Sequence, residues 1–355
     1  MLLTGGQALG QPSGAANEAW QLAQEAGQAI SEGHFQEASE KYNHAHQLVP
    51  NNADYALGLA HAKFFLNDYA AAMALCEPLT EGKAAKAEAF QVLGNCLDAQ
   101  EKSYEALETY RRGLKRFPQA GVLYMEMGIV ESGRKRDAEA LKYWEQGIVA
   151  QPTFASNYYF AAQNLLNLGD LAWAAVYAEV FINIERTGER VREMSKLLME
   201  AHERARLFDY SRAFQWHFYQ VKDSASGMLL PPPSYPHLLD SAFGSEFMDT
   251  ARTLSIQRLT EVRRFACQWI PQQLQGDPAA HLLQWQQTLA REGHLEAYHY
   301  WMLYDARQDE FMHWYEKNKA RYEAFEGWFL RNTLYRHIKS PIVRRATITE
   351  EGKRK

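Results

Sequence analysis

Alanine recurs in this chain at intervals of 34 residues, at Ala38, Ala72, Ala106, Ala140 and Ala174. Two other columns keep the same register: an aromatic residue lies four positions after the alanine in three copies, and a proline lies twelve positions after it in three copies. The aromatic residues are Tyr42, Tyr110 and Trp144, and the prolines are Pro50, Pro118 and Pro152. Columns that agree on one period indicate repeated structural units that stack on their neighbours.

Each repeat has the pattern of two amphipathic helices, because apolar residues recur at spacings of three and four. Gly94 and Gly128 lack bulk, so two helices can approach closely there. Turns between the helices are predicted at Gly33, Asn67 and Gly169. The prolines should end the second helices, since proline cannot donate the next backbone hydrogen bond.

The clearest copy carries its landmarks in the order Phe90, Leu93, Gly94, Leu97, Ala106, Tyr110 and Pro118. This pattern and its period resemble those of the tetratricopeptide repeat family, in five copies between residues 19 and 186. The resemblance implies an all-α fold: a right-handed superhelical solenoid of antiparallel helix pairs, whose concave side holds a protein segment.

Some copies depart from the pattern. Ala84 and Arg186 stand where the second and fifth copies would carry the closing proline, and Ala178 replaces the aromatic residue of the fifth copy. A degenerate sixth copy is predicted over residues 188–222. We expect these copies to pack less regularly than the others.

Changes in composition divide the chain into five segments. They are 1–18, a flexible N-terminus or signal-peptide remnant; 19–222, the repeat array; 223–245, a proline-rich connector; 246–339, a C-terminal helical block rich in aromatic residues; and 340–355, a basic disordered tail. The first residues resemble the small-residue end of a signal peptide but have no basic beginning. They favour a periplasmic or exported location slightly over a cytoplasmic one.

The composition argues against several classes of function. A net charge of −5 disfavours a nucleic-acid partner, and no apolar run is long enough for a transmembrane span. The three cysteines have no metal-binding or redox spacing, and no two of the twelve histidines lie three or four residues apart. No phosphate-binding loop or nucleophile motif occurs. We therefore nominate no catalytic residue, metal site or cofactor, and we predict that the protein is not an enzyme.

A stripe on the first helix of each repeat is the predicted binding site. In the third copy, the residues that face the packing side leave Gln91, Asn95 and Asp98 on another face. The same construction in the other copies gives Leu57, His61, Met125, Ile129, Tyr159 and Gln163. The family resemblance implies that this stripe lines the concave groove, and that an amide such as Asn95 holds the backbone of the ligand.

The charges along the stripe predict the chemistry of the partner. The stripe has no Lys or Arg, whereas Asp54, Glu88 and Asp98 lie along it. A partner segment that is neutral or basic, and partly apolar, would suit such a groove.

The leading hypothesis is a non-enzymatic scaffold for protein–protein interaction. One alternative is an exported carbohydrate-binding protein that uses the aromatic residues of the C-terminal block, although those residues can also fill the core of a helical cap over the end of the array. The other alternative is an enzyme with a pocket between the two helical blocks.

Overall fold

The computed structural model describes residues 14–83, 85–208, 254–269, 280–337 and 341–343. Regular structure in these ranges is helical, and none of them contains a strand. The chain forms two compact units, residues 1–130 (unit 1) and residues 131–355 (unit 2).

Unit 1 is built from consecutive helices that pack on their neighbours in the chain. They are α1 (Gly14–Ser31), α2 (Phe35–Leu48), α3 (Ala53–Phe65), α4 (Tyr69–Cys76), α5 (Ala87–Asp98), α6 (Ser103–Arg116) and α7 (Gly121–Gly133), the last of which continues into unit 2. Within pairs, α1 packs on α2, α3 on α4 and α5 on α6, and between pairs α2 contacts α3 and α4 contacts α5. This is the stacking of helix pairs that the period predicts. The column alanines Ala38, Ala72 and Ala106 are fully buried in it.

The turn inside each pair has one backbone geometry. Gly33, Asn67 and Glu101 have φ values of 79°, 60° and 63°, and they lie 34 residues apart. The next residue donates its N–H to the carbonyl five residues before it, as Asp68 does to Lys63 over 2.9 Å. This is the Schellman arrangement, which satisfies carbonyls at a helix end. The turns predicted at Gly33 and Asn67 are therefore confirmed.

Glycine allows close helix contacts at three described places in unit 1: Gly58, Gly94 and Gly113. A Cβ atom on Gly94 would lie 2.1 Å from Cε1 of Tyr110, and one on Gly58 would lie 2.4 Å from the ring of Tyr42. Both tyrosines belong to the aromatic column, so in these two copies the aromatic ring of the column packs on the backbone of a first helix. The small residue predicted at Gly94 is required by this contact.

Unit 2 contains the later repeat helices and the C-terminal block. Its helices are α8 (Asp137–Ala150), α9 (Ala155–Leu168), α10 (Leu171–Glu185), α11 (Glu189–Phe208), α12 (Ile256–Trp269), α13 (Ala280–Arg291), α14 (Leu295–Met302), α15 (Gln308–Arg331) and α16 (Leu334–His337). The array turn recurs at Lys135 and Gly169, with φ values of 60° and 83°. Helices α2, α6 and α8 each end two residues before a proline, at Leu48, Arg116 and Ala150.

Helix α10 is the central helix of unit 2. All its residues from Ala172 to Asn183 are buried, so it has no solvent-facing side, unlike an ordinary amphipathic repeat helix. It packs on α9 and α11 of the array and on α16 of the C-terminal block. Ala178, which replaces the usual aromatic residue, is fully buried there.

Arg186 explains why the fifth copy lacks its closing proline. Its guanidinium donates hydrogen bonds to the carbonyls of Phe329 (3.0 Å) and Asn332 (2.9 Å). The same group lies 4.1 Å from the centre of the Phe329 ring. The residue that ends α10 therefore also holds the end of α15.

The C-terminal block contains a helix pair with the array turn. Gly293 has a φ of 79°, and the N–H of His294 donates to the carbonyl of Leu289 over 2.7 Å. Helices α13 and α14 are therefore joined as the repeat pairs are, although no alanine of the 34-residue column lies in them.

Two of the predicted segment boundaries differ from the structure. Helix α1 begins at Gly14, inside the segment 1–18 that was predicted to be flexible, because its alanines pack against α2. Ile342 and Val343 are fully buried, so the part of the segment 340–355 that they occupy is packed rather than disordered. The second helix of the sixth copy (209–222) and the connector 223–245 lie outside the described residues.

Candidate functional site

The first helices of successive pairs form a continuous layer in unit 1. Helix α1 contacts α3, and α3 contacts α5, in addition to the contacts between helices adjacent in the chain. Their outer side is called here the first-helix face. Seven of the predicted site residues lie on α3, α5 and α7, and all of them except Leu57 are partly exposed: Leu57, His61, Gln91, Asn95, Asp98, Met125 and Ile129.

The two amides of the third copy bond to the next copy. Gln91 Nε2 donates to Glu126 Oε1 over 2.6 Å, and Asn95 Nδ2 donates to the same oxygen over 3.4 Å. The Tyr110 hydroxyl donates to Asn95 Oδ1 over 2.5 Å. Gln91 is thus oriented by a contact with α7, and Asn95 by contacts with α6 and α7, while each side chain remains partly exposed. An amide carries two N–H donors, so each retains capacity for a ligand.

Glu126 is the central residue of this network, and the sequence reasoning missed it. Glu126 follows Met125 in the sequence of α7, and only 8% of the residue is exposed. Burial raises the pKa of the carboxyl group; the hydrogen bonds from Gln91 and Asn95 oppose this rise, and the charge of Asp98 adds to it. Comparing Gln91 with the residue 34 positions later in the chain would have pointed to the region around Glu126.

Asp98 has a structural contact of its own. Its Oδ1 accepts a hydrogen bond from Ser103 Oγ over 2.7 Å, and Ser103 begins α6. The carboxylate therefore ties the end of the first helix to the start of the second, and it is partly exposed on the face.

The second copy contributes an apolar part and a histidine. Leu57 is only 6% exposed and packs in a core cluster with Ala60, Ala89 and Val92, so it offers little surface to a ligand. His61 is partly exposed. Burial lowers the pKa of its imidazole, and the charge of Glu88 opposes this shift.

The fourth copy supplies an apolar surface. Met125 and Ile129 lie one helical turn apart on α7, and both are partly exposed. They lie on either side of Glu126 in the sequence, so an apolar surface borders the polar network.

Tyr159 and Gln163 lie in unit 2, and the structure brings them together with residues of α11. The Tyr159 hydroxyl donates to Glu193 Oε2. Burial raises the pKa of Tyr159, and the Gln163 side chain opposes this rise. The Arg190 guanidinium lies 5.4 Å from the centre of the Tyr159 ring. Arg190 and Glu193 belong to the degenerate sixth copy, which the sequence reasoning did not use for the site.

The aromatic residues of the C-terminal block mostly pack on one another. Tyr300 stacks on Trp314 at 4.4 Å between ring centres, and Trp301 meets Phe329 at 4.6 Å. Trp285 is fully buried and stacks on Trp328. A sugar-binding platform needs an exposed ring face, and these rings are instead used in the core of the block.

A buried charged cluster joins the block to α10. Arg263 Nη2 lies 3.4 Å from Glu179 Oε2, and neither side chain is more than 1% exposed. Gln286 and Tyr298 both donate to Glu179 Oε1, over 2.7 and 2.9 Å. The ion pair of this cluster is sealed from solvent.

The described residues contain neither a candidate membrane span nor a candidate metal site. None of the described helices is long and apolar enough to cross a membrane. Among the described residues, no group of three or more His, Cys, Asp or Glu side chains is placed to hold a metal ion.

Comparison with known proteins gives a family match. The sequence profile of the tetratricopeptide repeat matches residues 29–96. No curated protein matches the chain by sequence. Solved structures with similar folds include a thermophilic TPR protein of Thermus thermophilus, with 15% identity, a TM-score of 0.44, and coverage of 52% of this chain and 98% of that one.

Other matches have the same character. The pilF protein of Pseudomonas aeruginosa is 18% identical, with a TM-score of 0.41 over 57% of this chain and 92% of that one. YrrB, a TPR protein with an unusual peptide-binding site, is 18% identical, with a TM-score of 0.31 over 52% of this chain and 92% of that one. The tetratricopeptide repeat profile covers residues 29–96, and the alanine column and the turn recur every 34 residues, so the array is similar in sequence and helix arrangement to tetratricopeptide repeats.

Proposed function

We propose that this protein is a non-enzymatic interaction scaffold that binds an extended peptide or protein segment along the first-helix face. The repeat fold supports the broad class, since such arrays present long surfaces for partners. The observation that carries the proposal is the network of Gln91, Asn95 and Glu126, which holds polar side chains in fixed orientations on a partly exposed face. Polar groups oriented before binding lower the entropic cost of holding a ligand.

The partner that suits this face is neutral or basic and partly apolar. Glu88, Asp98 and Glu126 contribute acidic groups, and Met125 and Ile129 contribute apolar surface. Asp54 is paired with Lys86 over 2.5 Å, so it adds less charge to the face than the sequence suggests.

The two alternative functions have less support. The carbohydrate hypothesis needs exposed ring faces, and most of the described rings of the C-terminal block are packed together. The enzyme hypothesis needs an accessible polar pocket where array and block meet, and the polar cluster found there around Glu179 is sealed.

The experiment that tests the proposal is a peptide-array screen with the full-length protein, followed by fluorescence anisotropy on the bound peptides. Ile129→Ser should weaken binding of these peptides about tenfold, because it removes apolar contact area from the face. Arg112→Ala, on the exposed surface of the second helix α6, is the matched control and should leave binding unchanged. A screen without bound peptides, or equal weakening by both variants, would contradict the proposal.

A further inference from the structure

Glu126 uses only half of its hydrogen-bonding capacity. Both amide donors, Gln91 and Asn95, bond to its Oε1. Among the described residues, no hydrogen bond reaches its Oε2, and no Lys, Arg or His forms an ion pair with the carboxylate. A carboxylate that is 92% buried thus lacks both a second donor and a cation.

Two other buried acidic groups of the array are paired with cations of the chain. Glu131 is 5% exposed and has Arg134 at 3.2 Å and Arg136 at 3.7 Å. Glu179 is fully buried and has Arg263. Glu126 is buried to a similar extent as Glu131, with 8% of the residue exposed against 5%, but it has no such cation among the described residues.

Asp98 repeats the arrangement beside it. Its Oδ1 is bonded to Ser103, and in the described part of the chain its Oδ2 receives no hydrogen bond. Asp98 lies three residues after Asn95, whose amide bonds to Glu126, and its charge makes the smallest contribution to the raised pKa of Glu126. Two neighbouring carboxylates therefore each have one oxygen fixed by the protein and one left over.

We propose that Glu126 and Asp98 bind the side-chain cation of a lysine or arginine in the segment held on the first-helix face. This inference rests on the proposed function and names the group of the partner that is recognised. The amides that hold Oε1 fix the carboxylate plane, so Oε2 has a defined position for an N–H donor of the ligand. Oε2 is not among the fully buried, unbonded oxygens of the described residues, so a cation of the ligand can reach it.

A peptide side chain suits this site better than a metal ion. The described residues place no third carboxylate, histidine or thiol with these two, and Ca²⁺ takes six to eight oxygen ligands. Met125 and Ile129, next to Glu126 along α7, match the aliphatic stem of a lysine or arginine.

The test is a positional peptide library with blocked termini, in which each position is fixed in turn as Lys, Arg, Gln or Leu. Full-length protein should prefer Lys or Arg over Gln by about tenfold at one position, as expected for a charged hydrogen bond in a partly buried site. Glu126→Gln should abolish this preference. The variant keeps an oxygen acceptor for Gln91 and Asn95, so the helix contacts are retained.

Matched measurements separate the possible outcomes. Glu105→Gln removes the same charge from an exposed position on the second helix α6 and should retain the preference for Lys and Arg. If the library binds without a preference for a cation, or if Glu126→Gln retains the preference, this inference fails while the proposed function stands. If no library peptide binds, the proposed function fails as well.

Discussion

Replacing Gly94 by alanine adds a methyl group at the closest helix contact found in unit 1. The new Cβ would lie 2.1 Å from Cε1, 2.4 Å from Cζ and 2.7 Å from Cδ1 of Tyr110. The ring is 1% exposed, and its hydroxyl is bonded to Asn95 over 2.5 Å, so it cannot move aside freely. Helices α5 and α6 would have to separate until these atoms are at least 3.4 Å apart.

The expected cost follows from two opposing effects. Alanine is favoured over glycine inside a helix by about 0.5–1 kcal/mol. Overpacking of a tight contact costs about 1–3 kcal/mol, and occasionally more. We expect Gly94→Ala to lower the free energy of unfolding by about 1–2 kcal/mol, since the contact with Tyr110 leaves little room for relaxation.

Gly27→Ala is the matched control. Gly27 lies inside α1, and a Cβ there would meet only Tyr42 Oη at an ordinary 3.5 Å, so this variant should be stabilised by about 0.5–1 kcal/mol. Urea denaturation followed by circular dichroism measures both variants. The reasoning is refuted if Gly94→Ala is as stable as the parent, or if both variants change stability in the same direction.

Three other predictions concern unit 2. Lys135→Gly should stabilise the protein by about 0.5–1 kcal/mol, because φ is 60° there and glycine adopts this conformation without steric cost. Gly169→Ala should destabilise the protein. Urea denaturation measures both variants, and changes in the free energy of unfolding that have the same sign would contradict the account. Arg186→Met should cost about 2–4 kcal/mol, because it leaves two carbonyls of α15 and its C-cap without their donor; an unchanged melting temperature would show that this contact does not stabilise the protein. His202 and His299 are buried, which lowers the pKa of His202 to about 3 and that of His299 well below its ordinary 6.5, with Arg263 adding to both shifts. Each histidine is therefore neutral in the folded protein and takes up a proton on unfolding below pH 6.5, so the free energy of unfolding should fall by about 1.4 kcal/mol per pH unit for each histidine as the pH drops. In His299→Gln, the free energy of unfolding should depend less steeply on pH between pH 6.5 and 5. A pH dependence as steep as that of the parent protein would contradict the assignment.

The periodic part of the structure could be predicted from the sequence because its determinants are local. The turns at Gly33 and Asn67 and the small residue at Gly94 follow from patterns within one repeat, and the structure has all three. Residues on one helix face can be read from spacing alone. The pattern does not say how far a side chain reaches toward the next helix.

Glu126 and Leu57 show where this reasoning stops. Both positions adjoin or belong to the predicted stripe, and both are buried by contacts with a neighbouring copy. Those contacts depend on the stagger between helices, which a single repeat does not encode. Likewise, the contact of Tyr158 with Tyr335, 177 residues away, has no period from which it could be inferred.

The departure at Arg186 is informative in retrospect. The absence of the closing proline from the fifth copy predicted less regular packing. The arginine at that position instead makes a specific contact with Phe329. A charged residue in place of a helix-ending proline could therefore have been read as a sign that another segment docks at that point.

The burial of α10 on all sides bears on how such a chain can change in length. Repeat genes commonly lengthen when one unit is copied beside itself, which works if each unit offers the next an interchangeable surface. The surface of α10 is already occupied by specific partners from the C-terminal block. Glu179 contacts Gln286 and Arg263, and Arg186 bonds to Phe329. A unit inserted after α10 would separate these partners, so duplication events that preserve the protein should fall within the first four copies, where the same turn and the same column recur.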